Sequence, residues 1–243
     1  MVTKAERIKF KLAVIIGLGS ISLVLLFLIS LTTGSMDISF SQAMSSLWNV
    51  LSNGGEAVTN QEKVLWYLRM PRTIAAITVG AGLSVAGVVM QALIRNPLVE
   101  PYITGVSSGA SLGATAAVLA GVTLFGASTF SLPIMAFVGA VGAFLFTMVL
   151  AEAAGGRPIS YVLSGVIVGI AMQAGTTLLM HFNANRVQSA LFWLFGSFAR
   201  VGWDSAKVMV LVVLAICVVM LLFAKELNVV LLGDEQARQL GMN

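Results

Sequence analysis

Residues able to do chemistry are few in this chain, and their spacing is the first clue. Among 243 residues there are ten Asp or Glu, one His and one Cys. Nucleophilic catalysis needs a nucleophile beside a base, and a metal site needs several His, Cys or carboxylate ligands together. His181 and Cys217 have no companions at such spacing, and neither a nucleophile–base set nor a metal-ligand cluster is legible. No GxxxxGK[ST] phosphate loop exists, and no Gly-Lys pair occurs anywhere. The expectation is a chain without catalytic residues, metal or cofactor, whose energy for any active process comes from another subunit.

Polar chemistry gathers instead at the end of the chain, in KELNVVLLGDEQARQLGMN (Lys225–Asn243). Gly233 should break the backbone there. Asp234 and Glu235 then favour the positive end of a helix dipole, Asp234 and Arg238 can pair at i, i+4, and Gly241 is placed as a cap. A helix this short is marginal alone in water. It needs a partner, which suggests an element docking on a soluble motor; an ordinary loop helix is the plainer alternative. A second concentration is TGVSSGASLG, with Gly105, Gly109 and Gly113 spaced by four and Ser107, Ser108 and Ser111 between them. Small residues at that spacing let helices approach closely in lipid, and the same face could line a pathway.

The elements that position these residues follow from composition. The chain is 58% hydrophobic and only 10% charged, far below the charged share of a soluble domain. Six apolar stretches can span a bilayer: Leu12–Leu31, Thr73–Ile94, two between Pro101 and Ala151 divided by a turn at Gly126–Pro133, Ile159–Met180 and Val208–Ala224. The first could be read as a signal peptide, but it is long for one and no clean cleavage site follows. The fold class expected is therefore an all-α polytopic membrane protein, with residues 1–243 as one transmembrane domain. The net charge of +4 reads as loop lysine and arginine setting topology rather than a nucleic-acid surface. The basic cluster Lys4, Arg7, Lys9 and Lys11 favours an inner N-terminus, which also puts Lys225–Asn243 inside.

Two outer segments are more than links. Ser39–Gly55 reads as an amphipathic helix with Met44, Leu47, Trp48 and Leu51 on one face and Gly54-Gly55 as its stop. Ala190–Trp203 is apolar but too short to span, and should lie near the interface with Trp193 and Trp203 at headgroup level. Glu100, Glu152 and His181 all fall at span ends. The intramembrane relay of an ion-coupled carrier is therefore missing, which disfavours a secondary transporter.

Two blocks, LRMPRTIAAITVGAGLSVAGVVMQALIRNPLVEPYITGVSSGASLGA (Leu68–Ala114) and ELNVVLLGDEQARQLG (Glu226–Gly241), resemble the permease subunits of ATP-binding-cassette importers for iron-siderophores, haem and cobalamin. The resemblance implies a bacterial plasma-membrane permease of about ten spans. It implies pairing with a second permease subunit around a central pathway, with two ATPase subunits on the cytoplasmic side and a substrate-binding protein outside. Residues 226–241 match the cytoplasmic coupling segment, which makes Leu232, Gly233, Asp234, Glu235, Ala237, Arg238 and Gly241 candidates for contact with the ATPase. Arg69 and Arg72 match positions that meet acidic residues of the binding protein; the plainer alternative is that they anchor the start of a span beside Trp66 and Tyr67. Span five lines the pathway in the family, so Gly165, Gly169 and Gln173 are candidates for that surface, with Gly105, Ser108 and Gly109 as pathway or packing residues. The family continues with about four more spans where this sequence stops, which reads as a fragment. The cargo implied is a ferric-siderophore-like chelate, with haem and cobalamin as alternatives.

Overall fold

The computed structural model describes residues 4–122, 128–183, 186–233, 236 and 239. Among these the regular secondary structure is all helical. The helices are α1 (Lys4–Thr32), α2 (Phe40–Ser52), α3 (Asn60–Lys63), α4 (Met70–Ile94), α5 (Val106–Ala120), α6 (Ser128–Ala153), α7 (Pro158–Phe182), α8 (Val187–Leu194), α9 (Trp203–Leu222) and α10 (Ala224–Val230). A wider π turn, Val64–Arg69, joins α3 to α4, and a 3-10 turn, Pro101–Thr104, precedes α5. Five helical stretches are long and apolar enough to cross a membrane: Glu6–Thr32, Asn60–Ile94, Ser131–Ala153, Pro158–Phe182 and Trp203–Leu222. These match five of the six expected spans.

The third expected span differs. Gly105 sits at φ 77° and Gly121 at φ 66°, left-handed values that glycine adopts without a Cβ penalty. They cut α5 to 15 residues, about 22 Å at 1.5 Å per residue, short of a hydrocarbon core of about 30 Å. Of the turn expected over Gly126–Pro133, residues 126 and 127 lie outside the described residues and the remainder is helix instead. Helix α6 is already under way at Ser128, and Pro133 lies inside it, near enough to the N-terminal end that few backbone bonds are lost. The last expected span starts at Trp203 rather than Val208, with Asp204 in its first turn, where a carboxylate suits the dipole.

The chain divides into two compact units. The first comprises residues up to Val79 together with Phe198–Val213. Its helix starts are written in the sequence. Ser39 and Gln42 form a capping box at α2, and Thr59 and Glu62 form another at α3, each satisfying two orphan N–H groups. Gly54 and Gly55 follow α2 at φ 68° and 95°, as the expected stop requires. The apolar face of α2 is not its most buried one. Ala43, Ser46 and Val50 are buried, while Trp48 and Leu51 are 73% and 61% exposed. Ile38, Ala43 and Leu65 form a small core, with Met36, Leu47, Val64 and Met70 packed against it.

The second unit comprises Gly80–Ser197 and the chain from Leu214 onward. It is built on α5, α6 and α7, which pack mutually.

Candidate functional site

The three-helix centre of the second unit is held by glycine. A Cβ on Gly109 would overlap the Gly139 carbonyl and the Ala143 methyl; one on Gly113 would overlap the Met135 carbonyl; one on Gly139 would overlap the Gly109 carbonyl. The backbones of α5 and α6 therefore touch directly, the close approach that drives association in lipid. On the other side of α5, a Cβ on Gly165 of α7 would overlap the Ile103 carbonyl, and one on Gly105 would lie 3.1 Å from the Gly165 carbonyl oxygen. Thr147 of α6 donates its hydroxyl to the Thr104 carbonyl at 3.0 Å, out of solvent. Gly105, Gly109 and Gly165 are thus buried packing residues.

Beside that contact lies an open recess of about 570 Å³, lined in part by Tyr102, Ser108, Gly165, Gly169, Gln173 and Thr177, with Glu100 also on its wall. Ser108 and Gly169 are half-buried and Gln173 is exposed. Four of the six sequence candidates, Gly105, Ser108, Gly165 and Gly169, thus meet where the start of α5 crosses α7, Gln173 stands one turn further along α7, and Gly109 faces α6 instead. Gly105 and Gly109 only pack, Gly165 both packs and borders the recess, and Ser108, Gly169 and Gln173 face it. Gly139 was missed; its role depends on which helix α5 meets, and spacing within α6 does not disclose that. Among the described residues no group of three or more His, Cys, Asp or Glu could hold a metal ion.

A larger apolar groove, about 690 Å³, separates the second half of α4 from α9 and α10; Ser84, Val88, Arg95, Cys217, Leu221 and Leu227 are among its walls. Arg95 reaches across it, donating from Nε to the Val230 carbonyl at 3.0 Å. That carbonyl ends α10, where a cation suits the dipole. Arg95 itself takes φ 55° just after α4. Leu232 is exposed, and Gly233 turns the chain at φ 110°, as its place in the sequence suggests. Asp234, Glu235, Ala237, Arg238 and Gly241 lie outside the described residues, as does the expected Asp234–Arg238 pair; of the expected short helix only Gln236 and Gln239 are described.

The two candidate docking arginines belong to the first unit and differ sharply. Arg69 is 8% exposed. It donates from Nη1 to the Leu31 carbonyl at 2.6 Å and from Nη2 to the Met36 carbonyl at 2.5 Å, so it caps the end of α1 and ties down the following loop. A Cβ on Gly34 would come within 2.8 Å of Arg69 Nη2, which is why the loop passes on a glycine. Arg72 is half-exposed and donates from Nη2 to the Ala199 carbonyl at 2.5 Å, while its Nε is buried without a partner.

Pro71, between them, has a consequence. Met70 gives its N–H to the Leu65 carbonyl, and Pro71 has none to give. The Trp66 carbonyl is left open, and the Trp203 indole fills it at 2.8 Å, the two rings 4.9 Å apart. Trp203 is therefore a hydrogen-bonded structural partner. Glu62 was also missed. It is 5% exposed and accepts from the N–H groups of Val58 and Thr59, both at 2.9 Å.

Long apolar helices, lipid-compatible outer faces and a glycine-packed centre define a multi-pass membrane protein. The sequence profile of the FecCD transport family matches residues 22–243, and the chain belongs to that family. It is 33% identical over 225 residues to the Fe(3+)-citrate import system permease protein YfmE of Bacillus subtilis, covering 92% of this chain and 64% of that one. It is 36% identical over 190 residues to the vitamin B12 import system permease protein BtuC of Citrobacter koseri, covering 74% and 54%. Among solved structures it is similar to a metal-chelate type ABC transporter in an inward-facing conformation, with TM-score 0.77 and 28% identity over 95% of this chain and 68% of that one. The chain spans 54% to 64% of the length of these two relatives.

Proposed function

We propose that this chain is the membrane-spanning permease part of an ATP-driven importer that passes a ferric-siderophore-like iron chelate into the cytoplasm. The observation that carries this reading is the family match over residues 22–243. The recess on α5 and α7 supports it. Seven residues named on its wall include one acid and no base, so a bulky polar cargo meets small side chains, a hydroxyl or an amide rather than a charged trap. Small residues at Ser108 and Gly169 leave room, and Gln173 offers both donor and acceptor.

In this reading the N-terminus is cytoplasmic and the permease sits in the bacterial plasma membrane beside a second permease subunit. The segment Leu232, Gly233, Asp234, Glu235, Ala237, Arg238 and Gly241 docks on an ATP-binding-cassette ATPase, which supplies the energy. An extracytoplasmic binding protein delivers the cargo. Arg72 is its docking contact, and Arg69 acts behind it by fixing the loop. Reversing charge with Arg72→Glu should weaken capture of the binding protein most at low salt, where exposed charges are least screened. The 36% identity to a vitamin B12 permease favours cobalamin as the second cargo.

The test is a single cysteine at Gln236, with Cys217 replaced, in membranes that also contain the ATPase. Cross-linking that changes with ATP is expected. An assembled complex with no cross-link from Gln236 would return the segment to a loop helix and reopen ion-coupled transport.

A further inference from the structure

Helix α2 divides its circumference three ways. At 100° per residue, Ala43, Ser46 and Val50 fall on one arc, and these are the buried residues. Ser41, Gln42, Ser45, Asn49 and Ser52 fall on a second arc of roughly 100°, all exposed to solvent. Between them, over roughly 80°, lie Phe40, Met44, Trp48 and Leu51. Phe40 is 55% exposed, and Trp48 and Leu51 are more open still. A helix lying on a soluble surface needs only two arcs. A third arc, apolar and uncovered beside a polar one, is what a helix shows when it lies where protein, hydrocarbon and water meet.

The height of α2 is fixed independently. Along α1 the exposed apolar residues run from Ile8 to Ile29. The chain then turns polar at Thr32, Thr33, Gly34 and Ser35, which marks the edge of the hydrocarbon. Arg69 binds the carbonyl of Leu31, on one side of that edge, and of Met36, three residues before the Ser39 cap of α2. The start of α2 is therefore tied to the end of α1. Helix α2 also carries no ionisable residue, so its apolar arc has no charge to offer an acidic or basic protein partner, whereas tryptophan favours the headgroup level.

We propose that α2 is an interfacial helix whose Phe40, Met44, Trp48 and Leu51 face enters the boundary between lipid headgroups and acyl chains. Its partner is a lipid surface, and the helix fixes the depth at which the Arg69 loop and the start of α4 stand.

The experiment uses the protein in nanodiscs of phosphatidylcholine, against discs whose lipid carries bromine high on the acyl chains. The emission of Trp48 is taken as the difference between the parent and the Trp48→Phe variant, a substitution an open site accepts without refolding. Bromolipid should remove most of that difference signal, and iodide in the water should leave it nearly unchanged. Strong quenching by iodide without bromolipid quenching would place the face in water and overturn the proposal. Protection from both quenchers would mean that a protein surface covers it, and would overturn it equally.

Discussion

Two contacts, one in each unit, hold helices together by opposite means. Where α5 meets α6, backbone lies directly against backbone, and Gly109, Gly113 and Gly139 make that approach possible. Where α1 ends, a full arginine side chain is buried to bring two carbonyls and a guanidinium together. The difference follows from where each contact lies. Within a span every N–H and C=O is already bonded along the helix, lipid provides no hydrophobic drive, and close packing is what remains. At a helix end four carbonyls lack partners, and a charged donor is worth more than a tight fit. Arg186 repeats the device on the Leu119 carbonyl of α5 at 2.8 Å, and Arg95 on the Val230 carbonyl of α10.

The comparison breaks most readily at Gly139. Gly139→Leu drives a side chain into the backbone of α5, and neither helix can yield without parting. We expect a loss of at least about 3 kcal/mol, the upper range for overpacking, seen as failure to recover monodisperse protein from detergent. Gly142 lies three residues on with nothing within 4 Å of its would-be Cβ. Gly142→Leu should change the thermal midpoint by an amount corresponding to about 0.5 kcal/mol or less. Equal effects at the two positions would mean that α5 and α6 are not in glycine contact.

The arginine clamp should give the next largest effect. Arg69→Met keeps much of the stem but leaves the Leu31 and Met36 carbonyls without their donor, at about 1–3 kcal/mol for each that stays dry. Arg69→Lys should restore part of this, since an ammonium reaches one carbonyl more readily than two. Gly34→Ala should destabilise in the same direction by pushing on the guanidinium. Thermal unfolding in detergent, with amide exchange at residues 33–39, reads all three. If Arg69→Met leaves both unchanged, the residue is not a clamp and returns to the docking surface beside Arg72.

What the sequence discloses follows the same division. The apolar runs at Leu12–Leu31, Thr73–Ile94 and Ile159–Met180 could be read directly, because a span is a local property of composition. The start and stop of α2 were equally local, in Ser39, Gln42, Gly54 and Gly55. Its buried face was not. An apolar arc points toward the core in a soluble protein, but beside a membrane both lipid and core accept it, so the sequence leaves open which of the two Trp48 and Leu51 face. Gly109 and Gly113 were legible as part of a ladder, whereas their counterpart Gly139 required the identity of the facing helix. Arg69 and Arg72 looked alike in LRMPR. Only the carbonyls of Leu31 and Met36, distant in sequence, separate a buried cap from a half-exposed charge.

Arg95 offers the finest test, because its backbone and its side chain act in opposite senses. Its φ of 55° places a Cβ where L-residues meet the following carbonyl, at a cost of about 1 kcal/mol, while its guanidinium holds the end of α10. Arg95→Ala forfeits the hold and keeps the strain. Arg95→Gly forfeits the hold and releases the strain, so it should be the more stable of the two by about 1 kcal/mol. Amide exchange in α10 should rise alike in both, since the Val230 carbonyl loses the same donor. Thermal midpoints that separate the variants while α10 exchange does not would assign the strain to the backbone and the anchoring to the side chain. If α10 opens in neither, the bridge across the groove is not what holds the segment leading to Leu232 and Gly233, and the search for its anchor moves to the residues that follow.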